Sequence, residues 1–425
     1  MTHFGIICPA ATGHINTMFP LAHALQQRGH QITVFGTPTV QARVQAAGFG
    51  MRLIGETEFS IEKVVKFYAK LGELSGLAAT KYTIQGIAKR ADVNLRETSK
   101  AAKEENIEAL LVDQICFEGA TIAEYLNVPF ITVCSALLTN EESTVPPWIR
   151  PWKYNQAWWA PLRNKLGYYL FHRIKQPVRE VISEYRQKWN LPACSNEEDY
   201  NSKLAIICQQ PAEFEFRRKN LPPYFHFTGP YHNNTGRQIV EFPFQKLNGK
   251  PLIYASMGTL QNRLQYVFEY IAEACAELNA QLVISLGGSS EPEALPKLPG
   301  EPLVVKFAPQ LELLQKASLV ITHAGLNTTL ESLSNGVPLV AIPITNDQPG
   351  VASRIAWTGV GEMLTLEKLN VPSLRDAVTQ VLTKDSYKQN ALRLQKAILS
   401  AGGVNCAADI IERAVNTGKA VLSST

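Results

Sequence analysis

The sequence predicts an α/β protein built as two doubly wound parallel-sheet domains that face each other across a cleft. Three observations predict it. Short apolar runs alternate with helix-length segments from the N-terminus onward, a polar stretch interrupts the alternation near the middle, and the alternation then resumes. A chain of 425 residues is also long for one hydrophobic core and comfortable for two, at about 100–200 residues per domain.

In the first half, FGIIC reads as a strand, Ile15 to Arg28 as a helix, QITVF as a strand, Thr39 to Ala47 as a helix and MRLIG as a strand. ALLVD, the helix Glu118 to Tyr125 and PFITVC continue the series. After Cys134 the pattern breaks into a Pro- and Trp-rich segment, followed by a helical stretch to about Trp189, and LAIICQ and FHFTGP close a first domain at residues 1–230. Residues 231–250 are polar without sustained periodicity and read as a linker. LIYASMG, the helix Leu264 to Leu278, QLVISLG, LVVKF, SLVITH and PLVAIP give the second sheet, within a domain at 251–400. A helical tail ends the chain, with residues 401–425 set apart as the part beyond the second domain.

Composition excludes several classes. The net charge of +4 is small for this length, so nothing points to nucleic acid as a partner. Seven scattered cysteines, odd in number and without any CxxC, read as reduced thiols of a cytoplasmic protein, and no His or Cys pair has metal-ligand spacing. Met1-Thr2-His3 runs straight into a strand, which leaves no signal peptide, and no run reaches the about 18 apolar residues a spanning helix needs.

The stretch Phe307 to Gln348 carries the most chemistry. SLVIT is a strand that feeds a helix through the small turn His323-Ala324-Gly325. A helix start presents unpaired N–H groups and partial positive charge, and Gly325 lets an anion come close to the backbone, which suits a diphosphate. His323, Thr328 and Thr329 offer further donors. Glu331, one turn after Asn327, can accept from vicinal hydroxyls, and Asp347-Gln348 pairs a carboxylate with an amide, as several sugar hydroxyls require. Each element alone is weak, since a helix start with Gly and Thr is usually just capped structure.

At the end of the first strand stands Ala10-Ala11-Thr12-Gly13-His14-Ile15-Asn16, where Gly13 allows a sharp bend and His14 falls at a helix start. The fourth strand ends at Val112-Asp113-Gln114. In a sheet of order 3-2-1-4-5, strands one and four are neighbours about 4.8 Å apart, so His14 and Asp113 emerge side by side. A carboxylate beside an imidazole fixes its tautomer and stabilises the imidazolium. The plainer alternative is a capping histidine in a surface turn. His3, His23, His30, His172, His226 and His232 have no carboxylate at an interpretable spacing and read as structural or surface residues.

The ordered set from Phe307 to Gln348, together with GHxN at Gly13 to Asn16, resembles the family-1, UDP-dependent glycosyltransferases, whose two-domain architecture is called GT-B. The resemblance implies an inverting mechanism in which His14 takes the proton of an acceptor hydroxyl and Asp113 orients it. It places Phe307 where many members have a base-stacking Trp, Ala308 against the base and Gln310 against the ribose. His323, Asn327 and Thr328 become diphosphate contacts, Glu331 the ribose contact, and Asp347 with Gln348 the sugar contacts. Ser256, Gly258 and Thr259 of ASMGT resemble an additional phosphate-binding turn. Leu326 stands where plant members often have a second Trp, so the nucleobase is less defined than the diphosphate. No aspartate-x-aspartate motif calls for a metal ion, and no cofactor is expected beyond UDP-glucose as co-substrate. The relatives' C-terminal tail packs back onto the first domain.

Beyond the donor motif, VDQ at 112–114, ASMGTLQ at 255–261, Phe307, DQPGVASRI at 347–355, and AGG with AADIIE at 401–412 are similar to the zeaxanthin glucosyltransferases of carotenoid pathways. The resemblance implies a lipophilic acceptor, with macrolide, sterol or phenolic acceptors as alternatives. An epimerase or a non-catalytic sugar-nucleotide binder are the alternatives of another class. Trp148, Trp152, Trp158 and Trp159 lie where relatives build the acceptor pocket; with Lys153, Arg163 and Lys165 they could line such a pocket, dip into the inner membrane face, or simply pack their own loop.

Overall fold

The computed structural model describes residues 1–232, 240–259, 264–288 and 290–423. Of the sequence readings, linker residues 233–239 and Leu260-Gln261 of ASMGTLQ lie outside the described residues.

Among the described residues, thirteen strands form two sheets. The first contains β1 (His3–Ile7), β2 (Gln31–Gly36), β3 (Gly50–Leu53), β4 (Ala109–Asp113), β5 (Phe130–Cys134), β6 (Ile206–Cys208) and β7 (Phe225–Phe227), in the order β3-β2-β1-β4-β5-β6-β7. The second contains β8 (Leu252–Ser256), β9 (Gln281–Ser285), β10 (Leu303–Val305), β11 (Ala317–Thr322), β12 (Leu339–Ala341) and β13 (Gly361–Met363), in the order β10-β9-β8-β11-β12-β13. Every pairing is parallel. Strands such as β4 and β8 are buried along their whole length, which is why they read as unbroken apolar runs rather than alternating ones. The two doubly wound sheets are the architecture expected from the sequence. β13, which no apolar run marks, adds an edge strand.

The larger departure lies between β3 and β4, where strand–helix alternation gives no reading. That segment folds as helices Ile61–Gly72 and Gly76–Val93, a five-residue π-helical turn at Asn94–Thr98, and the helix Ser99–Glu104. Gly76–Val93 packs along the long helix Ala160–Lys188.

At the C-terminus, helix Asp385–Ser400 packs on the helix Leu326–Ser334 of the second domain. The chain then crosses at Gly402 and Gly403, both with positive φ, and helix Gly403–Thr417 lies against helix Thr12–Gln27. Ala407, Ala408, Ile411 and Ala414 complete the first domain's core, and Arg28 pairs with Asp409 and Glu412.

Candidate active site

A cavity of about 2030 Å³ runs between the carboxyl ends of the two sheets. Every donor-side residue expected from the sequence except Thr329 lines it, as does His14.

On the first-domain side, β1 and β4 are hydrogen-bonded neighbours with Ile7 opposite Val112. The residues that follow them converge. His14, in the first turn of helix Thr12–Gln27, bonds through Nδ1 to Asp113 Oδ2 at 2.7 Å. This directs Nε2 away from the carboxylate. Burial by itself would raise the Asp113 carboxyl; the His14 charge, with hydrogen bonds from His14, Ser135 and the Ile115 amide, outweighs burial and holds it below its ordinary value. Ser135 was not singled out in the sequence. It follows β5, next to β4 in the sheet, and its Oγ lies 2.7 Å from His14 Nδ1 and donates to Asp113 Oδ2. Its signal was positional, being the first residue after a strand adjacent to the one bearing the carboxylate.

Gly13 serves a different end from the sharp bend predicted for it. It is helical, and its carbonyl accepts from Asn327 Nδ2 at 2.7 Å. Asn327 Oδ1 in turn accepts from Gln209 Nε2 at 2.8 Å and from Thr17 Oγ1 at 3.4 Å. Asn327, expected against the diphosphate, therefore bridges the two domains. The start of helix Leu326–Ser334 meets the start of helix Thr12–Gln27 there, and two positive helix ends so placed favour an anion between them.

On the second-domain side, His323 follows β11 with its ring against Gly258 and Gly325, where a Cβ would come within 2.6 Å of the imidazole. Glycine at 325 thus makes room for the ring. Ala324 between them takes φ 65°, a left-handed conformation that costs a non-glycine residue about 1 kcal/mol. Burial lowers His323 to about 4, against a smaller upward pull from the Ser256 carbonyl. Near neutral pH it is a neutral hydrogen-bonding group, so any help it gives a leaving phosphate is dipolar rather than cationic. Thr329, read as a hydroxyl donor to the diphosphate, is fully buried in the helix's inner face. Thr328 stays at the cavity wall, and Ser256 and Thr259 lie on the turn through Gly258.

Gln310 Nε2 donates to Glu331 Oε2 at 2.5 Å and to Thr328 Oγ1 at 3.3 Å, while its Oε1 accepts from Tyr254 Oη at 3.2 Å. Burial pushes Tyr254 up to about 12, so it remains a neutral donor. This chain fixes the buried Glu331 carboxylate, whose other oxygen lies 3.8 Å from His232 Nδ1. His232 is one of three histidines that the sequence left without a carboxylate and the fold supplies with one. His172 meets Glu141 at 2.7 Å and His30 meets Glu412 at 2.9 Å. The partners are 31 and 382 positions away, beyond any local spacing. Phe307 lies over Gly288, leaving a third of its surface open beside Ala308.

Asp347 and Gln348 begin the helix Gln348–Thr358. Burial raises the Asp347 carboxyl, which accepts from the Leu137 amide at 3.4 Å and feels the His14 charge. Gln348 Oε1 is engaged by the amides of Ile344 and Thr345 at 2.8 and 3.0 Å, so its oxygen shapes the loop. Gly350 lies against the Trp148 carbonyl, where a Cβ would come to 2.0 Å, and the fully buried Arg354 binds Glu215 of the first domain. The PGVASR run thus locks the domains together.

The aromatic wall of the cleft comes from an unexpected place. Phe59, Phe67, Tyr68 and Tyr82, from the helical segment between β3 and β4, line it with Phe117 and Phe171. Of the four tryptophans expected there, Trp148 does so and stacks edge-on with Phe171 at 5.4 Å. Trp152 packs over Gly167 and under Arg163, while Trp158 and Trp159 are exposed on the outer surface. They precede a helix whose inner face is already filled.

The family model for UDP-glucoronosyl and UDP-glucosyl transferase matches residues 6–398. The zeaxanthin glucosyltransferase of Pantoea ananas is 31% identical over 428 residues, covering 100% of this chain and 99% of the relative. That of Pseudescherichia vulneris is 28% identical and covers 99% and 100%. The crystal structure of CalG4, the calicheamicin glycosyltransferase, superimposes with a TM-score of 0.74 over 98% of this chain and 99% of its own, at 23% identity. A GT-B cleft, a match spanning nearly the whole chain and full-length relatives of this kind make one conclusion: the chain belongs to the UDP-glucuronosyl and UDP-glucosyl transferase family and is a glycosyltransferase.

Proposed function

We propose that the enzyme transfers glucose from UDP-glucose, with inversion, to a hydroxyl of a lipophilic acceptor, a hydroxylated carotenoid such as zeaxanthin. The observation that carries this reading is the His14–Asp113 pair at 2.7 Å, set where an aromatic chamber of the first domain meets the helix start at Gly325 to Thr328. His14 Nε2 removes the acceptor's hydroxyl proton, and the oxygen attacks the anomeric carbon from the face opposite the nucleotide. The C–O bond to UDP breaks, and the diphosphate takes up the electron pair beside the two helix starts. Asp113 stays ionised and holds the imidazolium. No metal ion or cofactor is required in this scheme. Two full-length relatives named as zeaxanthin glucosyltransferases support the acceptor class. The reaction is placed in the cytoplasm, at the inner membrane face where such acceptors partition.

Incubation with a panel of nucleotide sugars and hydroxylated carotenoids, followed by mass spectrometry, tests the reading. Hexose addition to a carotenoid with UDP-glucose is expected. Addition to phenolic or macrolide acceptors alone would reassign the acceptor, and isomerised nucleotide sugar without transfer would make the protein an epimerase.

A further inference from the structure

The helix Ala160–Lys188 has two dissimilar outer halves. Its inner face buries Gly167, Tyr168, Phe171, Lys175 and Val178, and Phe171 and Lys175 reach the cleft wall. On its outer face Leu162, Leu166, Tyr169 and Leu170 recur at helical spacing and are exposed, Leu162 by 61%, with Trp158 ahead of them exposed by 82%. About five turns further along the same stripe, where Leu162, Leu166 and Tyr169 would recur, stand Glu180, Glu184 and Gln187. The second half is therefore an ordinary solvated face, and the apolar character is confined to the first. Charge is equally local. From Ser143 to Arg179 the sequence contains no acidic residue, and among the described residues Lys153, Lys165 and Arg173 pair with no carboxylate.

We propose that this half-helix, with Trp158 and Trp159, docks the enzyme on an anionic lipid bilayer. A stripe of Trp, Tyr and Leu edged by unpaired Lys and Arg matches the boundary between acyl chains and acidic headgroups, where the rings immerse and the cations meet phosphate. A protein partner would need carboxylates facing each cation and a shaped apolar surface; a fluid bilayer supplies anionic phosphate and apolar contact without fixed geometry. The opposite side of the same helix walls the cleft, so docking holds the chamber at the surface from which a lipophilic acceptor is drawn. The purpose, though not the binding, rests on the acceptor reading above.

Co-sedimentation of the full chain with phosphatidylglycerol-containing vesicles and with phosphatidylcholine vesicles tests the surface. Binding to the former, weakened by salt and falling about tenfold or more in W158S/L162E/L166E and in K153E/K165E/R173E, is expected. Both variants keep wild-type UDP binding and wild-type transfer to acceptor supplied in detergent. Absence of wild-type binding to anionic vesicles, or binding by both variants equal to that of the wild type, would overturn the docking surface. So would a wild-type dimer in sedimentation velocity that W158S/L162E/L166E converts to monomer, since the stripe would then face a second copy. Loss of transfer in detergent by the wild type would instead refute the acceptor reading and leave the vesicle result standing.

Discussion

Asn327 Nδ2 donates to the Gly13 carbonyl at 2.7 Å, joining the first turn of the donor-side helix to the residue before His14. The same side chain accepts from Gln209, whose amide also donates to the Ser135 carbonyl at 2.6 Å. One amide thus ties the second-domain side of the cleft to both neighbours of Asp113. Gln209→Ala removes this brace without touching the diphosphate. It should lower kcat by about tenfold with the UDP dissociation constant unchanged, as two lost hydrogen bonds of about 1 kcal/mol each would allow. Single-turnover rates and UDP titration measure the two; a change in UDP affinity with unaltered kcat would contradict the brace.

His14→Ala should reduce transfer by about 10²–10⁴ while UDP binding persists. Asp113→Asn leaves the geometry but removes the charge that holds the imidazolium, and should cost nearly as much in kcat. Ser135→Ala should cost less and should move the pH profile of kcat/KM, because a donor to Asp113 Oδ2 is lost. Steady-state kinetics across pH separates the three, and an unchanged rate in His14→Ala would dismiss it as the base.

Asp347→Ala should weaken use of UDP-glucose more than binding of UDP. Its carboxylate lines the cleft, accepts from the Leu137 amide and feels the His14 charge. Competition between UDP and UDP-glucose in the variant is the measurement, and equal losses would remove Asp347 from the sugar.

Acidification should destabilise the fold through His323. Its folded value of about 4 lies below the ordinary 6.5. The unfolded chain binds the proton more readily, so this group's contribution is full above about 6.5 and is lost as pH falls toward about 4. The contribution is on the order of 3 kcal/mol at most. Urea titrations at several pH values should show the slope in the wild type and a flatter one in His323→Gln.

Glu215→Gln should destabilise by about 3–5 kcal/mol, because it strands the buried Arg354. Burial opposes ionisation of Glu215, but Arg354 and Arg218 outweigh it and pin its carboxyl at about 2, so this contribution is full above about 4.5 and fades only below that. Thermal melts of Glu215→Gln and of the double variant with Arg354→Met form the check; the double should recover part of the loss.

The sequence by itself determined the two parallel sheets, because strands buried on both faces must read as apolar runs and parallel strands need helical crossovers, while the strand order of the second sheet came from the folded chain. It also placed His14 beside Asp113, since β1 and β4 flank each other in such a sheet and both residues leave at the carboxyl edge. PGVASR was legible as a signature, yet only the folded chain revealed that Gly350 and Arg354 serve the contact between domains. Ser135, Tyr254 and Gln209 carry no motif, and their roles arise from contacts across 22, 56 and 118 positions. The aromatic wall of the cleft was misplaced for the same reason. Aromatic richness marked the Trp segment, but the packing of Gly76–Val93 against Ala160–Lys188 decided which rings face the cleft and which face outward. Local pattern fixes an element and its buried stripe; what a side chain meets is set by the close packing of elements far apart in the chain.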